Sequence, residues 1–556
     1  NAIDYLVGSR RQRSQGINAF VQGQVSRTGQ PADLRVAAAT SLTFSQQSAR
    51  AEIGEGVSLN ADGNVSVRSR VVNQGVRSIA DSRANSLSEK DGAQFTGSVA
   101  FTYGDYLHSS QAIIGDGADI TARNIGVGAR SALPIDNDYD EILSTFNPED
   151  WDGPQDFFAA INEVAQLYFD PDVAALENFG LADNLLTSYA NAYANSIAQT
   201  GETSTAAYGS FNGTFASHDT KAWVGEGAKL TTTGADEDWS SEFVVPFDPP
   251  EGEDDHDLSF VDDWNWAGGV DIDARSFSET AGVTGNVSFL TWITARNSPT
   301  GNSLGGSVGW TEFDSSTIAG IGDGAHITTT DLNVNADTTE LMYVVAPSAG
   351  SGESIAGNGI VSYANVNATT RASIHQGARV EASAVNLGAD YNVNLWTIGG
   401  AVAIAPPSTG GTSSSKTAVG VAFAYNDVHS DTRAYIGDNS SDRALDEGEE
   451  AGSTPADVPV AGGETAGLVV DDLNVDATSR GTVGVIAAAG AAAVNTPASG
   501  TPPPPTPSPS PTATQAQNGS FTAALSEAGR AFGAVAGGQP GSSIAGAGSV
   551  TLNMAQ

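Results

Sequence analysis

Few residues in this chain have types and spacings suited to chemistry. Asp136, Asp138 and Asp140 show the D-x-D-x-D spacing that opens an EF-hand loop, in which alternate carboxylates turn to one side of a tight bend and take a calcium ion. The remainder departs from that pattern, since Glu141 stands where glycine makes the bend and Asn147 where a bidentate glutamate closes the shell. Calcium is therefore the one cofactor to weigh, against the plainer reading of an acidic linker. His108, His218 and His429 precede a recurring β-branched anchor by six, six and seven residues, so they occupy nearly one place in successive repeats. Without cysteine or a close His-x-His pair they read as exposed turn histidines. The acidic runs at 251–257 and 446–450 read as solvated loops.

Catalytic signatures are missing from the sequence. It contains no G-x-S-x-G, P-loop, dinucleotide fingerprint or H-E-x-x-H. Glycoside chemistry needs two carboxylates at a set separation, and 65 acidic residues offer no way to select a pair, so no enzymatic activity is expected. Threonine triplets at 231–233 and 328–330 are ordinary strand residues before they are an ice- or sugar-binding face. Six N-x-[ST] sequons, at Asn64, Asn212, Asn286, Asn367, Asn439 and Asn518, are near chance for this composition.

The whole chain bounds its partners. Across 556 residues, 65 acidic side chains against 24 basic ones leave a net charge of -41. Such a body repels nucleic acid and anionic lipid. No apolar run reaches the roughly 18 residues of a spanning helix, so membrane insertion is not expected. The absence of cysteine excludes disulfides, thiolate metal sites and cysteine nucleophiles. Sixty-four glycines, with abundant Ala, Ser, Thr, Val and Asn, point to strands and turns.

The elements that position these residues are repeats. The phrase A-E-I-G-E-G-V-S-L at Ala51 returns as A-I-I-G-D-G-A-D-I at Ala112, A-W-V-G-E-G-A-K-L at Ala222, A-G-I-G-D-G-A-H-I at Ala319, A-S-I-H-Q-G-A-R-V at Ala372 and a shortened A-Y-I-G-D at Ala434. Its anchors are Ile53, Ile114, Val224, Ile321, Ile374 and Ile436, spaced by 61, 110, 97, 53 and 62 residues. Strand-like alternation precedes each phrase, as in S-V-A-F-T-Y at Ser98, and follows it, as in L-N-V-N-A-D at Leu332. The unit is strand, glycine turn, strand, turn, strand. Stacked units of this kind suit a solenoid whose six anchors point inward on equivalent rungs. A row of separate sandwiches is the competing arrangement, and needs longer units.

This reading divides the chain into solenoid strands at 1–133, 185–234, 266–438, 468–496 and 519–556. Between them fall a helical insertion at 134–184, acidic loops at 235–265 and 439–467, and a Pro-rich loop at 497–518.

The phrase A-x-I-G-x-G-A-x-I, followed by an Asn-, Val- and Ala-rich strand, resembles the repeats of giant bacterial exoproteins, the filamentous-haemagglutinin-like and leukotoxin-type filamentous adhesins. The resemblance implies a right-handed parallel β-helix in the extracellular space or at a bacterial cell surface, acting as a structural or adhesive rod without a cofactor. It leaves surface glycans as a partner class, and a β-helical polysaccharide-active enzyme as the rival. G-S-V-T-L-N-M-A-Q at the last residues matches a strand opening, and Y-L-V-G-S at Tyr5 matches the phrase that follows such a strand. The expected partner is accordingly self: a further copy stacked end to end, or further repeats of the same long chain.

Overall fold

In the five full repeat phrases the glycine three residues after the anchor is the one its backbone requires. Gly56, Gly117, Gly227, Gly324 and Gly377 have φ of 64, 62, 64, 65 and 74°, in the left-handed region where a Cβ is penalised. His375 replaces the first glycine of the fifth phrase, and the turn there keeps its form. The turns also bond to one another. Gly56 N–H donates to the Asp116 carbonyl at 2.8 Å, Gly117 to Glu226 at 2.8 Å, Gly227 to Asp323 at 2.8 Å, and Gly324 to Gln376 at 3.1 Å.

The computed structural model describes residues 19–23, 34–73, 78–85, 95–133, 188–195, 204–234, 239–240, 265–287, 301–352, 354–405, 416–437, 467–493, 514–515 and 544–555. Among them the chain is all-β and almost wholly parallel. It passes repeatedly between two sheets. After β1 (Ala19–Gly23), the first pass is β2 (Leu34–Ile53), β3 (Ser58–Asn60), β4 (Val65–Val72) and β5 (Ser78–Asn85). The second is β6 (Phe95–Ile114), β7 (Asp119–Ala122), β8 (Ile125–Leu133) and β9 (Ser188–Asn195). The third is β10 (Ser204–Val224), β11 (Lys229–Thr232), the short pair β12 (Trp239–Ser240) and β13 (Asn265–Trp266), and β14 (Val270–Val287). Then come β15 (Gly301–Ile321), β16 (His326–Thr328) and β17 (Asp331–Ser351), followed by β18 (Ile355–Ile374) and β19 (Arg379–Ala405). Last are β20 (Thr417–Ile436), β21 (Gly467–Ala493), β22 (Thr514–Gln515) and β23 (Ile544–Ala555).

One sheet has eight strands in the order β2-β6-β10-β15-β18-β20-β23-β22; the other has thirteen, including the short turn strands and β14-β17-β19-β21. The only antiparallel pair among the described residues is β12 with β13, where Trp239 and Trp266 stack at 5.6 Å. Trp266 lies over Gly126, where a Cβ would come within 2.9 Å of the indole.

The six anchors form one column. Ile53 pairs with Ile114, Ile114 with Val224, Val224 with Ile321, Ile321 with Ile374, and Ile374 with Ile436. The four central ones are fully buried, with Ile125, Val127, Ile272, Leu332 and Val385 of the facing sheet in the same cluster, while Ile53 and Ile436 are partly buried at its two ends.

Two features differ from the sequence reading. The strands of the eight-stranded sheet are mostly 20 or 21 residues long, about 65 Å, because small residues on both faces hide the continuation beyond the five to seven residues that visibly alternate. The buried face is also reversed over their first half. In S-V-A-F-T-Y the side chains of Ser98, Ala100 and Thr102 are buried, and Val99, Phe101 and Tyr103 point outward. Parity counted back from Ile114 decides this, since a strand has one set of alternate residues on each face. The inward Ser, Thr and Asn side chains bond to each other: Thr102 Oγ1 donates to Asn212 Oδ1 at 2.7 Å, Asn212 Nδ2 to Ser188 Oγ at 2.9 Å, and Ser210 to Ser307 at 3.1 Å.

Candidate functional site

Two polar groupings occupy the second half of the eight-stranded sheet, one on each of its faces. On the outer face, parallel register brings Ser217, Asp314, Asn367 and His429 into one row and Asp219, Ser316, Thr369 and Asp431 into the next. These rows line an open hollow of about 570 Å³. Its carboxylates are already engaged. Asn367 Nδ2 donates to Asp314 at 2.8 Å, Ser109 and Gln111 donate to Asp219 at 3.2 and 3.1 Å, and Arg371 and Arg433 both pair with Asp431. His429 Nε2 lies 3.1 Å from Asp427. The hollow thus presents hydroxyl, amide and carboxylate groups held at fixed spacing, which suits hydrogen bonding to a hydroxyl-rich ligand.

Beneath it, inside the fold, His108 and His218 stack on adjacent strands, with His108 Nδ1 3.1 Å from His218 Nε2. Asn73 Nδ2 donates to His108 Nε2 at 2.7 Å, so His108 carries its proton on Nδ1 and donates it to His218. His218 is then protonated on Nδ1, 3.5 Å from Ser276 Oγ. The neutral pair satisfies every step of this chain. Burial pushes His108 down to about 4 and His218 well below its usual value, the second also because of its neighbour. Both are buried, which corrects the reading of exposed turn histidines. His429, seven rather than six residues before its anchor, falls on the opposite face and is exposed.

Next to this pair, on the strand adjoining His218, Ser315 donates to the Glu340 carboxylate, and Tyr391 donates to it at 2.8 Å. Burial raises Glu340 to about 7, with the Ser315 and Tyr391 donors opposing and Asp314 adding to the rise. Burial and the nearby Glu340 also raise Tyr391. Glu340, Tyr391, His108 and His218 are buried as two separate hydrogen-bonded groups, Ser315–Glu340–Tyr391 and Asn73–His108–His218–Ser276, whose polar atoms face one another rather than solvent. Glu340 was not singled out from sequence. Its signal was parity with Leu332, Val334 and Ala336, which are likewise buried.

Asp136, Asp138 and Asp140 lie outside the described residues, as do the helical insertion and nearly all of the acidic and Pro-rich loops. Among the described residues no group of three or more His, Asp or Glu side chains is placed to hold a metal ion. Of the sequons, Asn212 and Asn286 are buried, Asn64 and Asn367 are exposed, and Asn439 and Asn518 are not described. The threonine triplets meet on neighbouring strands, where Thr232 Oγ1 donates to Thr329 Oγ1 at 2.8 Å. No protein-family model, curated protein or solved structure matches the chain.

Proposed function

We propose that this chain is a length of right-handed β-solenoid that works outside the cell, at a bacterial surface, as a structural or adhesive rod. The observation that carries the reading is the column from Ile53 to Ile436 with its stacked, mutually bonded turns. Each pass repeats the backbone geometry of the one before, and such a stack extends by adding passes. Support for continuation comes from β21, a 27-residue strand paired with β19 alone among the described residues. Its other backbone edge, open among the described residues, fits another pass, from a second copy or from the same long chain. The adhesin resemblance supports the location. The insertions give the rod its surface identity, the one at 134–184 leaving the path between β8 and β9, which both run beside β14, and the acidic loops take up calcium loosely.

Electron microscopy of the native material tests this. Rods whose length grows by roughly 4.8 Å per added pass are expected; isolated particles without an axial repeat would sink the reading. The hollow at Asp314 and His429 favours a second reading, contact with glycans, which binding and turnover assays on a panel of neutral and acidic glycans address.

A further inference from the structure

The first half of the eight-stranded sheet shows an outer face unlike the rest of this acidic chain. Four rows start at Val36, Ala38, Thr40 and Leu42 of β2 and continue in register through β6, β10, β15, β18 and β20. None of the side chains in these rows is Asp, Glu, Lys, Arg or His. Large apolar residues stand in solvent there: Val36 is 61% exposed, Val99 53%, Leu304 50% and Val361 39%. The inward side chains beneath them are Ser, Thr, Asn, Ala and Gly for the most part, so the ordinary distribution of a half-buried sheet is inverted.

We propose that this uncharged half-face is the interface through which two copies of the chain pair laterally, face to face. The size is right. Six strands and four rows cover roughly 29 by 26 Å, on the order of 750 Å², larger than the patch of about 300–600 Å² on an ordinary monomer and close to the ~800 Å² each partner gives a stable interface. Charge favours a second copy as the occupant. At -41, two copies repel over most of their surface, and this half-face lets them touch without opposing like charges. A two-fold axis running across the strands through the patch turns the charged halves to opposite sides, where each keeps its hollow open to solvent. The aromatic rows argue against a sugar here. Phe101 stacks on Phe211 at 5.0 Å and Tyr363 on Tyr425 at 5.3 Å, so the rings spend their faces on one another and offer edges outward.

Pairing is independent of the rod reading, because rod growth proceeds along the stack and pairing across it. The test is sedimentation of the full 556-residue chain over a concentration series, with small-angle scattering of the associated species. A dimer is expected whose thickness doubles while its length along the stack is unchanged. Val99→Asp, Leu304→Asp and Val361→Asp, all outward and therefore compatible with folding by circular dichroism, should each weaken association at least tenfold. Ser48→Asp, on the same face in the charged half, should leave it unchanged. A monomer at all concentrations, growth only along the stack, or equal effects of all four variants would overturn the proposal. So would a monomer in which hydroxyl-radical footprinting finds Leu42 and Val99 protected, since the chain's own segments would then cover the face.

Discussion

The two halves of one sheet face teach opposite lessons about where apolar side chains go. From Val36 to Leu42 and across six strands, four outward rows carry no charge; the next four rows, starting at Phe44, carry six acids and four bases besides His429. The interior runs the other way. Under the charged half lie Tyr106, Phe313, Val366 and the anchor column, whereas under the bare half lie alanines and bonded Ser, Thr and Asn side chains. Cohesion of the fold therefore concentrates under the charged half, and the bare half holds its apolar surface in reserve for association.

The largest effect should come from the interior of the charged half. Ile321 is fully buried between Val224 and Ile374, so Ile321→Ala loses both transfer energy and a filled space, about 4 kcal/mol. Val361→Ala, outward in the bare half, should change monomer stability by less than about 0.5 kcal/mol. Denaturant unfolding in a Val99→Asp background, where association does not mask the difference, measures both. Equal losses would break the comparison.

Titration sharpens it next. Glu340 rises from 4.5 when unfolded to about 7 when folded, so the folded state binds more protons between those values and stability falls as pH climbs from about 4.5 to 7. Glu340→Gln should remove that slope, so the variant gains on the parent chain as pH climbs from about 4.5 to 7, less whatever is lost where its amide nitrogen replaces one of the two oxygens that accept from Ser315 and Tyr391. His108 acts in the reverse sense. Its value drops from 6.5 to about 4, so the unfolded state binds more protons and stability is lost as pH falls through that window. With Glu340→Gln in place, the fall in stability as pH climbs from about 4.5 to 7 should shrink, leaving the rise given by His108 and His218 and the fall given by Asp337, which burial also raises. A decline over that window as steep as in the parent chain would contradict the assignment.

Much of this was legible because a strand encodes its faces by parity. The anchor phrases locate the turns, and even offsets from an anchor mark inward residues: six for His108 and His218, against seven for His429. Hydrophobic alternation alone misleads in the bare half, where Val99, Phe101 and Tyr103 look like core and face out. Strand length was hidden by residues small on both faces. The hollow was legible by the same rule and missed: Ser217, Asp314, Asn367 and His429 each stand seven residues before an anchor, so the register that aligns Val224, Ile321, Ile374 and Ile436 also aligns them on the outer face.

A smaller effect belongs to the turns that follow the charged half, where each strand ends at its anchor. Gly227, at φ 64°, has no atom within 4 Å of where a Cβ would stand, so Gly227→Ala meets no clash and costs only the backbone penalty, about 1–2 kcal/mol. Thermal melts of Gly227→Ala beside Ser48→Asp should separate the two; equal melts would mean the turn relaxes out of the left-handed region.

The smallest effect tests whether the charged half behaves as a screened electrostatic surface. Asn367 is exposed, and its Nδ2 donates to Asp314 at 2.8 Å across the β15–β18 step. Asn367→Asp replaces that donor with a second carboxylate beside Asp314, losing one exposed hydrogen bond and adding a like-charge contact worth about 0.5–1 kcal/mol in water. Because the pair is solvated, about 1 M salt should recover most of the repulsive part. Val361→Ala in the bare half has no charge to screen, and its small effect should be the same at both salt concentrations. Stability measured for the two variants at low and high salt reads this directly. A salt-independent loss in Asn367→Asp would mean that the Asn367 to Asp314 hydrogen bond, and not the field of the acidic rows, sets the behaviour of this half of the sheet.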